Sequence, residues 1–147
     1  IVMFAQYLLT SMDIELLKAK MLEKDGLSRS IGIEYLSTPE PDTCAATMPV
    51  DERNCQPFGF LSGGASLSMA ESLAGVGSLA LCPGCIPMGI NVSGNHIKAA
   101  VKGDRVKAIA KIIHKGATIH QWQVSILNSE SELVSSVQVT NIIVRKK

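Results

Sequence analysis

One uninterrupted stretch of small and apolar residues, 62–80, constrains this chain more than any other part of its sequence. Its spacing is helical, and Glu71 is the only charged residue among its nineteen positions. A helix that is apolar around most of its circumference must be buried on most sides. The stretch therefore predicts a central helix enclosed by the rest of the fold, with Glu71 sequestered inside it.

The residues around this helix predict an antiparallel sheet. Short polar or glycine-containing connections, of the length found in hairpins, separate segments that alternate between apolar and polar residues. An earlier helix at 12–23 is expected to end at Gly26, and a Pro83-Gly84 turn follows the central helix. The predicted strands are 31–37, 43–49, 89–100, 105–115, 118–128 and 133–145.

This order of elements predicts an α+β fold in which a long antiparallel sheet wraps around one central helix. A doubly wound parallel sheet would need helices that alternate with the strands. The whole chain, 1–147, is expected to form one domain with an N-terminal helical segment at 1–27.

Composition excludes several classes of function. Hydrophobic residues make up 46% and charged residues 18% of the chain, which is globular composition. A net charge of +1 provides no basic field of the kind that nucleic-acid binders carry. No stretch reaches the roughly 18–20 apolar residues needed to cross a bilayer. We therefore expect a cytoplasmic protein that binds neither nucleic acid nor membrane.

The cysteines raise the question of a metal or redox site. Cys82-Pro-Gly-Cys85 has the spacing of zinc knuckles and of redox pairs. A zinc site needs about four ligands, but Cys44 and Cys55 lie in unrelated contexts, and the three histidines are scattered. We interpret the motif as a Pro-Gly turn with two incidental thiols, and we assign no metal.

Two features of the central helix are candidates for chemistry. A buried, unpaired carboxylate is costly, which makes Glu71 a functional candidate; the alternative is that the helix exposes one narrow stripe that carries Glu71. Gly63 and Gly64 would open the helix, where unpartnered N–H groups suit a developing oxyanion, although close packing also favours glycine.

The distance between these features predicts a dimer. Glu71 lies eight residues beyond Gly63, which is about 12 Å along a helix. One substrate carbonyl could hardly contact both groups of the same chain. A symmetric dimer with two shared sites solves this problem, because Gly63 of one chain can then face Glu71 of the other.

These residues resemble the signature of a known family. The segment Gln56-Pro-Phe-Gly-Phe-Leu-Ser-Gly-Gly-Ala-Ser, followed by Ala70-Glu71-Ser72, resembles bacterial hotdog acyl-CoA thioesterases. These include the dihydroxynaphthoyl-CoA, phenylacetyl-CoA and enterobactin-proofreading enzymes and the related 4-hydroxybenzoyl-CoA thioesterase. The resemblance extends from about Ile31 to the C-terminus.

The resemblance implies a hotdog fold, thioester hydrolysis and roles for particular residues. It implies that Glu71 of one subunit is the general base or nucleophile, and that the Gly63 amide and the Gln56 side chain of the other contact the carbonyl oxygen. Relatives usually carry His where Ser62 stands, and often Ser or Thr where Gly75 stands. Ser62 is nevertheless assigned to the catalytic residues with Glu71, Gly63 and Gln56, because it can still form a hydrogen bond, although it cannot titrate near neutrality.

The resemblance also implies a substrate-binding surface and an assembly. It needs no cofactor beyond the coenzyme A of the substrate, and it implies homodimers that pair into homotetramers. His96 is a candidate for the acyl pocket, with a structural role on its strand as the alternative. The remaining residues predicted to bind acyl-CoA are Gly64, Ser72, Gly75, His114, Lys115, Gly116, Ala117 and Thr118.

A basic region also fits a phosphorylated substrate. Between positions 98 and 115 the sequence contains six basic residues and one acidic residue, which is a local excess of five positive charges. The alternative is a solvated outer face of a sheet. The residues counted are Lys98, Lys102, Arg105, Lys107, Lys111 and Lys115 against Asp104.

Three other functions stay open on the sequence alone. A non-catalytic acyl-CoA binding or sensing protein is favoured by Ser62 and Gly75. A hotdog dehydratase or hydratase would pair a His with an acid, and no His accompanies Glu71 in the motif. A structural interaction module would not need the Gly-Gly pair or the lone Glu. An aromatic and a medium-chain acyl group both fit the sequence.

Overall fold

The computed structural model describes Ile14, Leu17 and residues 24–146. The elements with described bounds are two helices and six strands. The helices are α1 (Gly26–Ile31) and α2 (Gly63–Leu81). The strands are β1 (Glu34–Leu36), β2 (Thr43–Pro49), β3 (Cys85–His96), β4 (Arg105–Lys115), β5 (Ile119–Leu127) and β6 (Leu133–Arg145).

The six strands form one sheet in the order β1-β2-β4-β5-β6-β3, and every neighbouring pair is antiparallel. Helix α2 packs across one face of this sheet and contacts β2 to β6. The predicted α+β arrangement, a long antiparallel sheet around one central helix as in the hotdog fold, is confirmed. In the described part of the chain, no helix has the length and hydrophobicity required to cross a bilayer.

The core lies between α2 and the sheet. On β4, Val106, Ala108 and Ala110 are fully buried, while the residues between them are exposed. The small alanine side chains leave room for the helix to approach the sheet. At Gly77 the helix lies close to the sheet, because an added Cβ would be 2.6 Å from the ring of Trp122. A larger residue at position 77 would therefore force the helix and sheet apart.

A buried polar cluster fixes the last turns of α2 to the sheet. The Ser78 hydroxyl lies 2.9 Å from Trp122 Nε1, 3.1 Å from Asn141 Nδ2 and 2.9 Å from His120 Nδ1. Trp122 and Asn141 donate to the two lone pairs of the Ser78 oxygen, so its proton is left for His120 Nδ1. His120 is therefore neutral here and carries its proton on Nε2.

Most of the predicted strands are confirmed. Strands β2, β4 and β6 have the predicted bounds, and β5 is one residue shorter at each end than predicted. Strand β3 begins at Cys85 and ends at His96, whereas 89–100 was predicted. The strand therefore begins four residues earlier than predicted and includes Pro87. Proline is tolerated there because β3 lies at the edge of the sheet.

A strand is present within the predicted segment 31–37, but its predicted bounds are wrong. Gly26 begins α1, since the Asp25 side chain accepts a hydrogen bond from Ser28 N, and the helix ends at Gly32 with φ of 90°. Ile31 therefore ends a helix, and strand β1 is confined to Glu34–Leu36. Of the predicted helix 12–23, the described residues Ile14 and Leu17 are helical, and the rest lies outside the described residues.

The interpretation of Cys82 and Cys85 as incidental thiols is also wrong. The two sulfurs are joined in a disulfide, with the Cα atoms 5.6 Å apart. The predicted turn is present, with Gly84 at φ of 84°. The turn between the end of α2 and the start of β3 brings the two cysteines within disulfide range, and this depends on both elements being in place.

Candidate active site

The start of α2 presents backbone donors. Ser62 is the N-cap in an extended conformation, and its carbonyl accepts hydrogen bonds from Ala65 N at 3.0 Å and Ser66 N at 3.2 Å. Gly63 and Gly64 follow as the first two helical residues, and their N–H groups have no carbonyl partner within the helix. These N–H groups lie at the positive end of the helix dipole, which favours a developing negative charge.

The side chain of Gln56 is held in one orientation. Its Oε1 accepts a hydrogen bond from Phe58 N, and the Gln56 backbone is fixed by bonds to Phe60 and Gly59. Because the carbonyl end of the amide is occupied, the NH₂ end is left to donate. In this orientation the NH₂ group of Gln56 can donate a hydrogen bond to a carbonyl oxygen.

His96 covers the first residue of α2. A Cβ added to Gly63 would lie 2.6 Å from His96 Nε2, so only glycine leaves the ring in place without adjustment. On its other side, His96 Nδ1 lies 2.7 Å from Ser135 Oγ. Gln56, Gly63 and His96 together line a cavity of about 290 Å³, which we call the first cavity. Thus three of the predicted site residues meet in one place.

Glu71 does not lie in this cavity, and it is exposed in the single chain. The expectation that the rest of the chain buries Glu71 is therefore wrong. The alternative, that the helix exposes one narrow stripe that carries Glu71, is correct. The stripe runs along one side of α2, where Gly64 and Glu71 are exposed and Ser68 and Gly75 are half-buried. The carboxylate lies against β3, since a Cβ added to Gly89 would be 2.2 Å from Glu71 Oε1.

The predicted residues Ser72 and Gly75 line a second cavity of about 450 Å³. A Cβ added to Gly75 would have no described atom within 4 Å, so close packing does not explain this glycine. The apolar walls of the second cavity include Val76, Leu79, Ile86 and Pro87, and its charged residues are Lys24, Asp25 and Lys146.

The predicted CoA hairpin lies far from the first cavity of the same chain. His114 and Lys115 end β4, and Gly116, Ala117 and Thr118 form the turn to β5. All of them except Gly116 are exposed. The register pairs Ile119 with Ile142 near the end of β6, whereas His96 pairs with Ser135 near its start. The hairpin and the first cavity are therefore at opposite ends of the sheet.

The basic residues of β4 point away from the helix. Arg105, Lys107 and Lys111 are exposed and alternate with buried residues, so they lie on the outer face of the sheet. Lys98 forms an ion pair with Glu132. The outer-face arrangement agrees with the alternative of a solvated surface. Among the described residues, no group of three His, Cys, Asp or Glu side chains is placed to hold a metal ion.

Ser135 and Phe58 also belong to the site, although the sequence did not predict a role for either of them. Ser135 orients the His96 ring, and the Phe58 amide orients Gln56. Ser135 lies 39 residues from His96, and only the pairing of β3 with β6 brings them together. The contact could have been predicted only from the knowledge that β3 pairs with β6.

Comparison with known proteins shows the family of this chain. Residues 58–135 match the sequence model of the thioesterase superfamily. The chain is 39% identical over 103 residues to the 1,4-dihydroxy-2-naphthoyl-CoA hydrolase of Escherichia coli, covering 69% of this chain and 75% of that protein. It is 34% identical over 123 residues to the enzyme of the same name from Listeria monocytogenes, covering 83% and 98%.

The fold has a similar counterpart among solved structures. The structure of the thioesterase HI1161 from Haemophilus influenzae matches with a TM-score of 0.82 and 31% identity, over 90% of each chain. The chain therefore belongs to the thioesterase superfamily of hydrolytic enzymes.

Proposed function

We propose that this chain hydrolyses an acyl-CoA thioester at a site that two copies of the chain share. The observation that carries the proposal is the separation on α2 of an amide donor at Gly63 from an exposed carboxylate at Glu71. The two groups are about 12 Å apart along the helix, too far for one carbonyl to contact both. CoA thioesters are the substrates named for two similar proteins.

Strand β3 supplies the reason to expect a second copy. It has twelve residues, and within the described sheet it has one neighbour, β6. A long edge with exposed apolar side chains is a site for pairing with another strand. Its exposed apolar residues are Ile86, Met88 and Ile90, at 43%, 48% and 58% of full exposure. We therefore place the copy against β3, with the two β3 strands antiparallel.

Antiparallel pairing of β3 with its copy would complete the site. A two-fold axis near the middle of β3 puts the His96 end of one strand beside the Cys85 end of the other. The first cavity of one chain then lies next to Glu71, Ser72 and Gly75 of the partner subunit. The hairpin His114–Thr118 of that partner, at the same end of its sheet, can then reach the nucleotide part of coenzyme A.

The chemistry follows from these positions. The thioester carbonyl oxygen accepts hydrogen bonds from Gly63 N–H and the Gln56 amide, which stabilise the negative charge of the tetrahedral intermediate. Glu71 of the partner subunit either removes a proton from an attacking water or attacks the carbonyl carbon itself. The C–S bond then breaks, and the products are a carboxylic acid and the free thiol of coenzyme A.

The second cavity is proposed to hold the acyl group. Its volume of about 450 Å³ lies within the range of small-molecule sites, and Val76, Leu79 and Ile86 give it apolar walls. These walls suit an aromatic or medium-chain acyl group.

The exposed Ile109 and Ile113 of β4, at 37% and 51%, mark a face on which two dimers can pair into a tetramer.

A thiol-release assay over aromatic and medium-chain acyl-CoA esters tests the proposal. Glu71→Gln and Glu71→Ala should lower kcat by about 10²-fold or more, because each removes the base or nucleophile. Both variants should unfold at the wild-type temperature, since Glu71 is exposed. Glu34→Gln, which removes an exposed glutamate on β1, is the matched control. Full activity in both Glu71 variants would end the assignment.

A non-catalytic acyl-CoA binding protein is the alternative, and Ser62 and Gly75 favour it. Gly75 leaves open space in the second cavity, where a hydroxyl side chain could otherwise hold the substrate or a water. Binding of CoA esters measured by calorimetry, without release of free thiol from any ester, would support this alternative and contradict hydrolysis.

A further inference from the structure

The disulfide between Cys82 and Cys85 joins the two elements that hold Glu71. Cys82 is the C-cap of α2, and Cys85 is the first residue of β3. Glu71 projects from this helix onto this strand, where it lies against Gly89. Any change at the disulfide therefore acts on the junction between the helix and the strand of the proposed catalytic site.

An arginine lies against both sulfurs. Arg145 Nη1 is 3.6 Å from Cys82 Sγ and 3.7 Å from Cys85 Sγ, and Arg145 is the register partner of Cys85 in the sheet. A nearby guanidinium stabilises a thiolate, and a stabilised thiolate is the better leaving group in thiol–disulfide exchange. The contact is a feature of reactive cysteine pairs, and an inert structural disulfide would not need it.

Cys82 also differs from Cys44 in access. Cys82 is partly exposed and is followed by the exposed Pro83 and Gly84, so a small thiol can reach its sulfur. Cys85 is 5% exposed and lines the second cavity. By contrast, burial raises the pKa of the Cys44 thiol to about 12, which keeps it protonated and unreactive.

We propose that Cys82 and Cys85 form a reversible redox site that exchanges with thiols and disulfides of the glutathione class. In reduction, a thiolate of the reductant attacks one sulfur, the Cys82–Cys85 bond breaks, and the sulfur that leaves takes up a proton. A second thiol resolves the mixed disulfide. The protein gains two electrons and two protons, and the reductant leaves as a disulfide.

Reduction loosens the end of α2 and one wall of the second cavity. The turn from Cys82 to Cys85 loses its covalent closure, so the free energy of unfolding falls. The walls at Cys85 and Ile86 are then held less tightly, and the acyl group is bound less well. The effect on KM rests on the proposed function, whereas the exchange and the loss of stability do not.

Redox trapping of the full-length protein tests the exchange directly. The protein is equilibrated in glutathione buffers from oxidising to reducing, quenched in acid, and alkylated in denaturant for mass spectrometry. Cys82 and Cys85 should become alkylated together as the buffer turns reducing, and re-oxidation should reverse this. Cys55→Ser should titrate as the wild type does. A pair that stays oxidised in the most reducing buffer, or that stays reduced in the most oxidising one, would overturn the proposal.

The role of Arg145 is tested by the rate of reduction by a small dithiol. Arg145→Met should slow reduction several-fold, because the leaving thiolate loses its cation. Lys146→Met removes the same charge one residue away. Its disulfide should be reduced at a rate within twofold of the wild-type rate. Equal rates for the two variants would show that the guanidinium does not activate the pair.

The consequence for the site is measured on oxidised protein, reduced protein and the Cys82→Ser/Cys85→Ser double variant. The reduced and double-variant forms should both unfold a few degrees lower and show a KM several-fold higher than the oxidised form. Activity is followed by loss of the thioester absorbance, because added thiols interfere with thiol detection. Identical unfolding temperatures in all three forms would overturn the redox proposal. A lower unfolding temperature with no thioester hydrolysis in any form would instead overturn the proposed function alone.

Discussion

The two faces of α2 are built from the same kinds of small residue, yet they serve different purposes. The packed face carries Gly77 and Ser78, both fully enclosed by the sheet. The open face carries Glu71 and Gly75, which have the edge strand β3 and a cavity beside them. The packed face holds the helix to the sheet, and the open face presents it to a substrate.

The glycines show the difference most clearly. A Cβ at Gly77 would collide with Trp122 and with Cys44 Sγ at 3.0 Å, so packing accounts for that glycine. A Cβ at Gly75 would contact no described atom. Glycine inside a helix costs about 0.5–1 kcal/mol relative to alanine. At Gly75 packing does not compensate for this cost, which is the pattern expected of a position kept open for a ligand.

Removing the Ser78 hydroxyl should have the largest effect on the packed face. Ser78→Ala leaves Trp122, Asn141 and His120 without their shared partner in a buried site, and each unsatisfied group is costly. We expect the free energy of unfolding to fall by about 2–4 kcal/mol. Chemical denaturation checks this. Ser68→Ala, on the exposed stripe, is the control, and a change of equal size there would erase the contrast between the faces.

Alanine substitutions at Gly77 and at Gly75 should change the free energy of unfolding in opposite directions. Gly77→Ala forces a methyl group against Trp122 and should destabilise by about 1–3 kcal/mol. Gly75→Ala meets no described atom and should stabilise by about 0.5–1 kcal/mol through helix propensity. Thermal and urea unfolding of both variants measure the signs. Destabilisation by Gly75→Ala would mean that the open face is packed after all.

The smallest expected effect is a pH dependence that comes from the packed face. Burial, followed by the charges of Lys115, His114 and Arg145, lowers the pKa of His120 below its ordinary value of about 6.5. The unfolded chain then binds a proton at a higher pH than the folded one. The free energy of unfolding should therefore fall as the pH drops below about 6.5, by at most about 1.4 kcal/mol per pH unit.

Denaturation curves between pH 7.5 and about 5 measure this slope for the wild type and for His120→Gln. The variant should lose most of the slope, since glutamine does not titrate. His114→Gln, on the exposed hairpin, removes only one of the lesser causes of the His120 shift and should keep most of the slope. A slope that is the same in His120→Gln and in the wild type would assign the pH dependence to other groups.

Much of the fold follows from local sequence patterns. The sequence predicts strand β4 because apolar residues alternate along it with Arg105, Lys107, Ile109 and Lys111, three of which are basic. The short turns then set the antiparallel order. The segment at Gly26 was mistaken because a glycine can end one helix or begin another, and the Asp25 cap decides between the two. Local pattern does not distinguish these cases.

The site was less predictable, because its parts come from distant places in the chain. Gly63, Gln56 and Glu71 stand in one recognisable motif, but the contact of His96 with Ser135 depends on strand order. The sequence could not decide whether Glu71 is buried or exposed. The composition of an apolar helix does not show which of its sides is left uncovered by the sheet. The Cys82–Cys85 bond likewise requires the turn to be formed.

Subunit complementation tests the central claim, that one chain supplies the amide and the other supplies the carboxylate. Gly63→Pro deletes the amide proton at the first helical position, where proline is favoured, and the extended Ser62 before it suits a proline. Gly63→Ala is the control, since it adds the same Cβ beside His96 and keeps the N–H. It should retain most of the activity.

The measurement is the activity of purified heterodimers that combine one Gly63→Pro chain with one Glu71→Gln chain. Each variant alone should be inactive, while the heterodimer should hold one intact site of its two and recover about half of the wild-type activity. A heterodimer as inactive as its two parents would contradict the shared site and place both groups within a single chain.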